Sequence, residues 1–300
     1  VSKEKKLMIK LKDLVKVWGT GSTQVNALRG LNLTVNDGEF IAIMGPSGSG
    51  KTTLLNIISG VEEPTAGTVE IDGTCLADMN TEQLDDYRLK SIGYIFQSYN
   101  LIPSLNALDN IQLPILAADK KASFAKERAL DLLELVGLRN RDSHHPHELS
   151  GGEQQRVAIA VALANEPRII LADEPTGNID SIAASSFVSY IRSIVDESGI
   201  TVVLVTHDDS VARSADLIYL IRDGQIYSKT EPSRLAAHEE NCSSYLQRRI
   251  EEIKRELRAL DSRIAAGTID GALYASTRTS LLETTLVLQN ELAKLGKLSK

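Results

Sequence analysis

Residues 45 to 53 read Gly45-Pro46-Ser47-Gly48-Ser49-Gly50-Lys51-Thr52-Thr53, between an apolar run, Phe40-Ile41-Ala42-Ile43-Met44, and a helix-like stretch, Leu54-Leu55-Asn56-Ile57-Ile58. This spacing demands a strand, a glycine-rich loop and a helix in immediate succession, so that successive backbone N–H groups and a helix N-terminus converge on one point. Glycines let the backbone wrap closely around a triphosphate, Lys51 can reach its β- and γ-phosphates, and Thr52 can ligate Mg²⁺. The segment predicts an α/β chain that binds a nucleoside triphosphate.

The rest of the composition narrows the setting. Three hundred residues with 42% hydrophobic content can build one large or two modest domains. A net charge of -7 argues against a surface made to neutralise nucleic-acid phosphates, so no nucleic acid is expected as partner. Cys75 and Cys242 fit neither a disulfide framework nor a metal-site spacing, which points to a reducing, cytoplasmic setting. The longest apolar runs, such as Thr201-Val202-Val203-Leu204-Val205, have the length of buried strands rather than membrane spans, and the charged start, Val1 to Lys6, does not read as a signal peptide. A membrane role would therefore need another chain to cross the bilayer.

Along the chain, Leu7 to about Asp37 reads as short strands and turns, including Gly19-Thr20-Gly21-Ser22 and the alternating Leu31-Asn32-Leu33-Thr34-Val35. Thr68 to Ile71 reads as a strand and Asp72-Gly73 as a hairpin turn, giving a β-rich lobe fused to the nucleotide core. From Gln97 to about Asn165 the pattern is mostly helical, with Phe124 to Val136 apolar at helical spacing and Gly137 as a stop, so an inserted helical subdomain is expected. Strands return at Ile169-Ile170-Leu171-Ala172 and Val202-Val203-Leu204-Val205, separated by a helix around Ser186 to Val195, as a parallel sheet requires. After about Pro232, Leu246, Ile250, Ile253, Leu257, Leu260 and Ile264 form a heptad stripe. Gly267 to Gly271 breaks it, and Tyr274, Leu281, Leu288, Leu292 and Leu295 resume on a second helix, which predicts an antiparallel helical hairpin.

A second chemical element follows from Ile169-Ile170-Leu171-Ala172-Asp173-Glu174, an apolar strand ending in two carboxylates. Such a strand holds Asp173 near a Mg²⁺ shell, while Glu174, one residue beyond, can orient and polarise an attacking water. A third is Leu149-Ser150-Gly151-Gly152-Glu153-Gln154-Gln155-Arg156, heading the helical segment Val157 to Ala164. Ser150, Gly151 and Gly152 at a helix N-terminus make another anion cap.

With these residues the chain resembles the ATP-binding cassette (ABC) ATPases, whose signature motif is LSGGQ-like, over about Leu7 to Glu231. The resemblance implies a P-loop NTPase core with an antiparallel β lobe and a helical subdomain at about 98–165, ATP and Mg²⁺ as ligands, and hydrolysis to ADP and phosphate. It implies a head-to-tail dimer with a second copy of the chain, each ATP lying between one phosphate loop and the partner's signature. Gln97, in Tyr94-Ile95-Phe96-Gln97, matches the Q-loop, expected near the Mg²⁺ and water. His207, in Leu204-Val205-Thr206-His207-Asp208, matches the switch histidine, and Gly177-Asn178-Ile179-Asp180 the D-loop that crosses the dimer interface. Trp18 aligns with the aromatic that stacks on adenine. His144, His145 and His147 lack accompanying ligands and read as a structural loop before the signature.

Within the family, Ala27-Leu28-Arg29-Gly30-Leu31, Asn100-Leu101-Ile102-Pro103 and Asp173-Glu174-Pro175-Thr176-Gly177-Asn178 look most like the lipoprotein-release and macrolide-export group, whose ATPases serve permeases acting as exporters or mechanotransmitters. The implied place is cytoplasmic, peripheral on the inner face of the cell membrane through an integral permease. Val161 and Ile179 depart from the group's usual Arg and Leu without removing a catalytic group. A soluble ABC ATPase of translation or DNA repair is the alternative. It would carry two cassettes or very long coiled coils, and neither is present. The extension at 232–300 lies outside the common domain and reads either as a stabilising appendage or as a dimerisation or docking device.

Overall fold

The computed structural model describes residues 6–19, 24–234 and, with scattered omissions, 250–289. In chain order the elements are β1 (Leu7–Trp18), β2 (Val25–Asn36), β3 (Phe40–Met44), α1 (Lys51–Ile58), β4 (Ala66–Ile71), β5 (Thr74–Cys75), α2 (Thr81–Ser91) and β6 (Ile92–Ile95). There follow α3 (Ala107–Ala117), α4 (Ala122–Leu135), α5 (Gly151–Ala162), β7 (Ile169–Asp173), α6 (Ser181–Ser198), β8 (Thr201–Thr206), α7 (Asp209–Ala212), β9 (Leu217–Arg222) and β10 (Gln225–Thr230). The chain divides into two compact units, Val1–Pro232 and Ser233–Lys300.

In the first unit a six-stranded sheet runs β10-β9-β3-β8-β7-β6, parallel throughout except for the β9–β10 hairpin. Every residue of β3 and β8 is buried, as strands covered on both faces must be, and this is why they read as unbroken apolar runs. A second, antiparallel sheet runs β2-β1-β4-β5. Its inward residues, among them Ile9, Leu11, Leu31 and Leu33, join Leu54, Leu55, Ile57 and Ile58 of α1 and Ile43, Leu171 and Val205 of the six-stranded sheet in one core. The phosphate-loop helix is thereby held by both sheets, which fixes the loop that precedes it.

The front of the chain differs from the expectation of short strands: β1 and β2 are each 12 residues long. What interrupts their alternation is a set of register shifts in one continuous pairing, the clearest at Asp13. Asp13 adopts a left-handed φ of 50°, and its N–H donates to Asn32 Oδ1 at 3.0 Å across the pair. Asp72 and Gly73, with φ of 48° and 80°, make the expected tight turn between β4 and β5. Thr20, Gly21 and Ser22 lie outside the described residues.

The inserted helices α3, α4 and α5 are separated by structured loops. Asn110, 5% exposed, bonds Ile102 N–H and the carbonyls of Ile102, Leu105 and Asn106, pinning the approach to α3. On α4 the buried stripe is Ala125, Ala129, Leu132 and Leu133, whereas Phe124, expected on that face, is exposed. Gly137 ends the segment with φ 71°.

In the second unit, residues 253–265 are helical, with Ile253 and Leu260 buried, and helical residues recur from 271 to 289. Tyr274 donates its hydroxyl to Asp261 at 2.7 Å and Arg278 reaches the same carboxylate at 3.4 Å, so one helical turn of the second segment faces the end of the first. Leu246, Gly267, Leu288, Leu292, Leu295 and Cys242 lie outside the described residues.

Candidate functional site

The phosphate loop leaves β3 at Gly45, whose position is dictated by space. A Cβ there would lie 2.1 Å from Ile221 O on β9. Gly48 and Gly50 have φ of 78° and 99°, and a Cβ on Gly50 would sit 2.5 Å from Ala27 O of β2. Gly50 is the N-cap of α1 and has no side chain to cap it, so the first-turn N–H groups, beginning with Lys51, Thr52 and Thr53, remain available to a ligand. Ser49 Oγ is buried without a partner inside the same cradle, which Pro46 and Ser47 complete. Lys51, 7% exposed, donates to the carbonyls of Gly45 (2.8 Å) and Pro46 (3.1 Å), folded onto the loop it would leave to meet phosphate oxygens.

The neighbouring β7 delivers its carboxylates to this point. Asp173 lies beside Thr52, whose hydroxyl favours its charged form, and its Oδ1 is buried and unpartnered. Burial raises the Asp173 pKa, helped by the Glu174 charge and opposed by Thr52 and Lys51. An orphaned carboxylate oxygen beside a hydroxyl is the oxygen donor set Mg²⁺ prefers, so the residues fit that ion. Glu174 turns off the strand at φ 45°, its N–H bonded to Val205 O on β8. This strained turn aims the side chain between two partners: Oε1 is 3.6 Å from Lys51 Nζ and Oε2 is 2.7 Å from His207 Nδ1. His207, on the loop after β8, also donates its backbone N–H to Glu174 at 3.2 Å. With Nδ1–H given to the carboxylate, Nε2 of the exposed imidazole is free to face a phosphate.

Trp18 pairs with Val25 at the start of β2, the strand whose Ala27 backs the phosphate loop. It is 41% exposed, and Lys16 Nζ lies 4.4 Å from the ring centroid on one face.

The signature segment forms a separate surface. Ser150 caps α5 and Gly151 and Gly152 open its first turn. Among the described residues no hydrogen bond or ion pair joins Ser150, Gly151 or Gly152 to Lys51, Glu174 or His207. Gly151 instead packs beneath the Q- and D-loops, since a Cβ there would lie 3.3 Å from the Tyr99 hydroxyl and 3.7 Å from Ile179. Gln97 belongs to the same cluster: its carbonyl accepts from Asn178 Nδ2 at 2.9 Å, and its amide nitrogen would be 3.1 Å from a Cβ on Gly177. Asp180 spends its carboxylate capping α6 through Ala183 N–H at 2.8 Å.

Two participants escape a reading by motif alone. Gln155, 2% exposed, donates to Pro175 O at 2.6 Å and ties α5 to the turn after Glu174. Arg141 bonds Glu153 at 2.9 Å from a loop of irregular spacing. A polar residue on the apolar face of α5 was the available signal for Gln155; nothing local marks Arg141.

Known proteins agree with this fold. The profile of the ABC transporter family matches residues 28–177. The chain is 44% identical over 219 residues to the lipoprotein-releasing system ATP-binding protein LolD of Bacteroides thetaiotaomicron, covering 73% of this chain and 99% of that one. It is 41% identical over 266 residues to the macrolide export ATP-binding/permease protein MacB of Brucella melitensis, covering 86% of this chain but 41% of that longer protein. Among solved structures, a dimeric post-hydrolysis state of the ATP-binding cassette MJ0796 of Methanocaldococcus jannaschii, bound to ADP and phosphate, is similar with a TM-score of 0.70 at 42% identity, over 75% of this chain and 99% of that chain.

Proposed function

The chain belongs to the ABC transporter family, and from that premise we propose that its phosphate cradle and its signature cap act on the same ATP only across two copies of the chain. It is an ATP-binding, ATP-hydrolysing subunit that dimerises and serves a membrane permease, with ATP and Mg²⁺ as ligands. The observation that supports the trans arrangement is that, among the described residues, no hydrogen bond or ion pair joins the cradle around Lys51 to the cap at Ser150. We take 7–231 as the nucleotide-binding domain, with the helical subdomain at about 98–165, and 232–300 as an extension.

In this reading Lys51 exchanges the carbonyls of Gly45 and Pro46 for the β- and γ-phosphates, and the free N–H groups of α1 complete the cradle. Thr52, Gln97 and Asp173 would hold Mg²⁺, which would supply charge neutralisation to the phosphates. Glu174 accepts the proton of the attacking water, and His207, oriented by Glu174 through Nδ1, would donate from Nε2 to the γ-phosphate in its doubly protonated form. Ser150, Gly151 and Gly152 of the second copy close the other side, and Asp180 and its D-loop line the seam.

Trp18 tests the base-binding end. It is the chain's one tryptophan, so ATP binding should change its fluorescence. Replacing it with Ala should raise the ATP Kd roughly 5- to 50-fold, the worth of one base stack, while Tyr preserves most of the affinity. Unchanged fluorescence at saturating ATP, together with an unchanged Kd for the Ala variant, would remove Trp18 from the site.

No described helix is long and apolar enough to cross a membrane. The proposed place is the inner face of the membrane, against the permease. Phe96, Ile102, Leu113 and Leu116, all at least 39% exposed, lie in or beside the segment that carries Gln97 and α3, and support this as the docking side. Leu113→Glu with Leu116→Glu should retain ATP binding and lose co-purification with the co-expressed permease. Undiminished co-purification would place the contact elsewhere.

A further inference from the structure

The signature cap carries a charge that works against its purpose. Ser150 gives both of its donors to one atom: its N–H lies 2.9 Å and its Oγ 2.8 Å from Glu153 Oε2. In return Glu153 N–H donates to Ser150 Oγ at 3.3 Å, closing a capping box. A carboxylate thus occupies the donors that the cap would turn toward a phosphate. These two Ser150 bonds and then Arg141 hold the Glu153 pKa down at about 2, so its charge is present throughout the working pH range. Its other oxygen, Oε1, accepts Arg141 Nε at 2.9 Å.

Arg141 is well placed to hold that position. Its loop is anchored on the start of α3 by Leu108 N–H to Asp142 O (2.9 Å) and Ala107 N–H to His144 O (2.8 Å), and the His144 ring nitrogen lies 3.4 Å from its guanidinium. The guanidinium and Glu153 form an ion pair with side chains 46% and 19% exposed, so Coulomb screening by water is incomplete on the carboxylate side.

We infer that Arg141 is a positioning residue of the signature cap: it draws Glu153 onto Oε1 and cancels its charge, so that Ser150 can transfer its donors to the triphosphate held by the other copy. Without Arg141, an uncompensated carboxylate faces an incoming polyanion. The inference rests on the trans arrangement proposed above.

The test uses the full chain carrying Glu174→Gln, so that closed dimers persist, with dimer formation followed by light scattering against ATP concentration. Arg141→Ala should raise the ATP needed for half-closure about tenfold, one unpaired charge beside a phosphate, and added salt should shrink that gap. Glu153→Gln should need no more ATP than the parent. Adding Glu153→Gln to Arg141→Ala should restore closure to within roughly threefold of Glu153→Gln alone, a suppression that loss of helix-capping structure would not give. Trp18 fluorescence reports ATP binding to each monomer and should be the same in every variant, and Arg141→Gln serves where the Ala variant folds poorly. No shift with either Arg141 variant, or no suppression by Glu153→Gln, overturns the inference while leaving the trans arrangement standing. Failure of the parent Glu174→Gln chain to dimerise at any ATP concentration overturns both.

Discussion

Glu174→Gln is expected to bind ATP as tightly as the native chain, to accumulate as a dimer, and to turn ATP over about 10²- to 10⁴-fold more slowly, the range that a positioned proton acceptor contributes. The amide keeps the shape of the side chain and the bond from Glu174 N–H to Val205 O, so the strained turn after β7 persists. What disappears is the carboxylate that lies between Lys51 and His207 and can take a proton from water. The charge change acts in the same direction on assembly. Removing one negative charge 3.6 Å from Lys51 eases the approach of a triphosphate, so the closed state gains while the exit through hydrolysis is blocked. Phosphate release by the purified chain and light scattering at saturating Mg²⁺–ATP read both halves. Turnover within a factor of about three of the native chain would assign the proton to another group.

The parts of this chain that were legible beforehand are those whose requirements are local. The phosphate loop needs its glycines and Lys51 within a few residues of one another, and β3 and β8, buried on both faces, announce themselves as apolar runs of the right length. The Asp72-Gly73 turn needs two left-handed residues in succession, and the sequence supplies residues suited to them. Features that depend on distant partners were not visible in the same way. The length of β1 and β2 was hidden because Asp13 breaks the alternation and is accommodated by Asn32, 19 residues away. The meeting of Glu174 with His207, 33 residues apart, follows from the pairing of β7 with β8, which places Asp173 opposite Val205. Phe124 fits a helical apolar period, yet the face that α4 buries runs through Ala125 and Ala129, small residues that let α4 approach its neighbours closely.

The same distinction separates two substitutions that look alike on paper. Gly45→Ala should lower stability by more than about 3 kcal/mol and abolish ATP binding, whereas Gly48→Ala should cost about 1 kcal/mol. Gly45 does not have a positive φ, so alanine meets no backbone penalty there. The obstacle is Ile221 O, 2.1 Å from the would-be Cβ, and it is main chain in a strand paired with β3, so it cannot swing aside as a side-chain tip can. Relief requires either β9 to part from β3 or the loop to lift off the sheet, and the second movement withdraws the Gly45 and Pro46 carbonyls that position Lys51. Gly48 presents the reverse case, with nothing within 4 Å of its would-be Cβ but a φ of 78°, so only the left-handed penalty applies. Denaturant melts without nucleotide measure the stability terms, and Trp18 fluorescence with ATP measures the functional one. A Gly45→Ala chain that melts with the native protein would mean that the loop can leave β9 freely, and the rigid cradle inferred for the triphosphate would have to be replaced by one that forms only on binding.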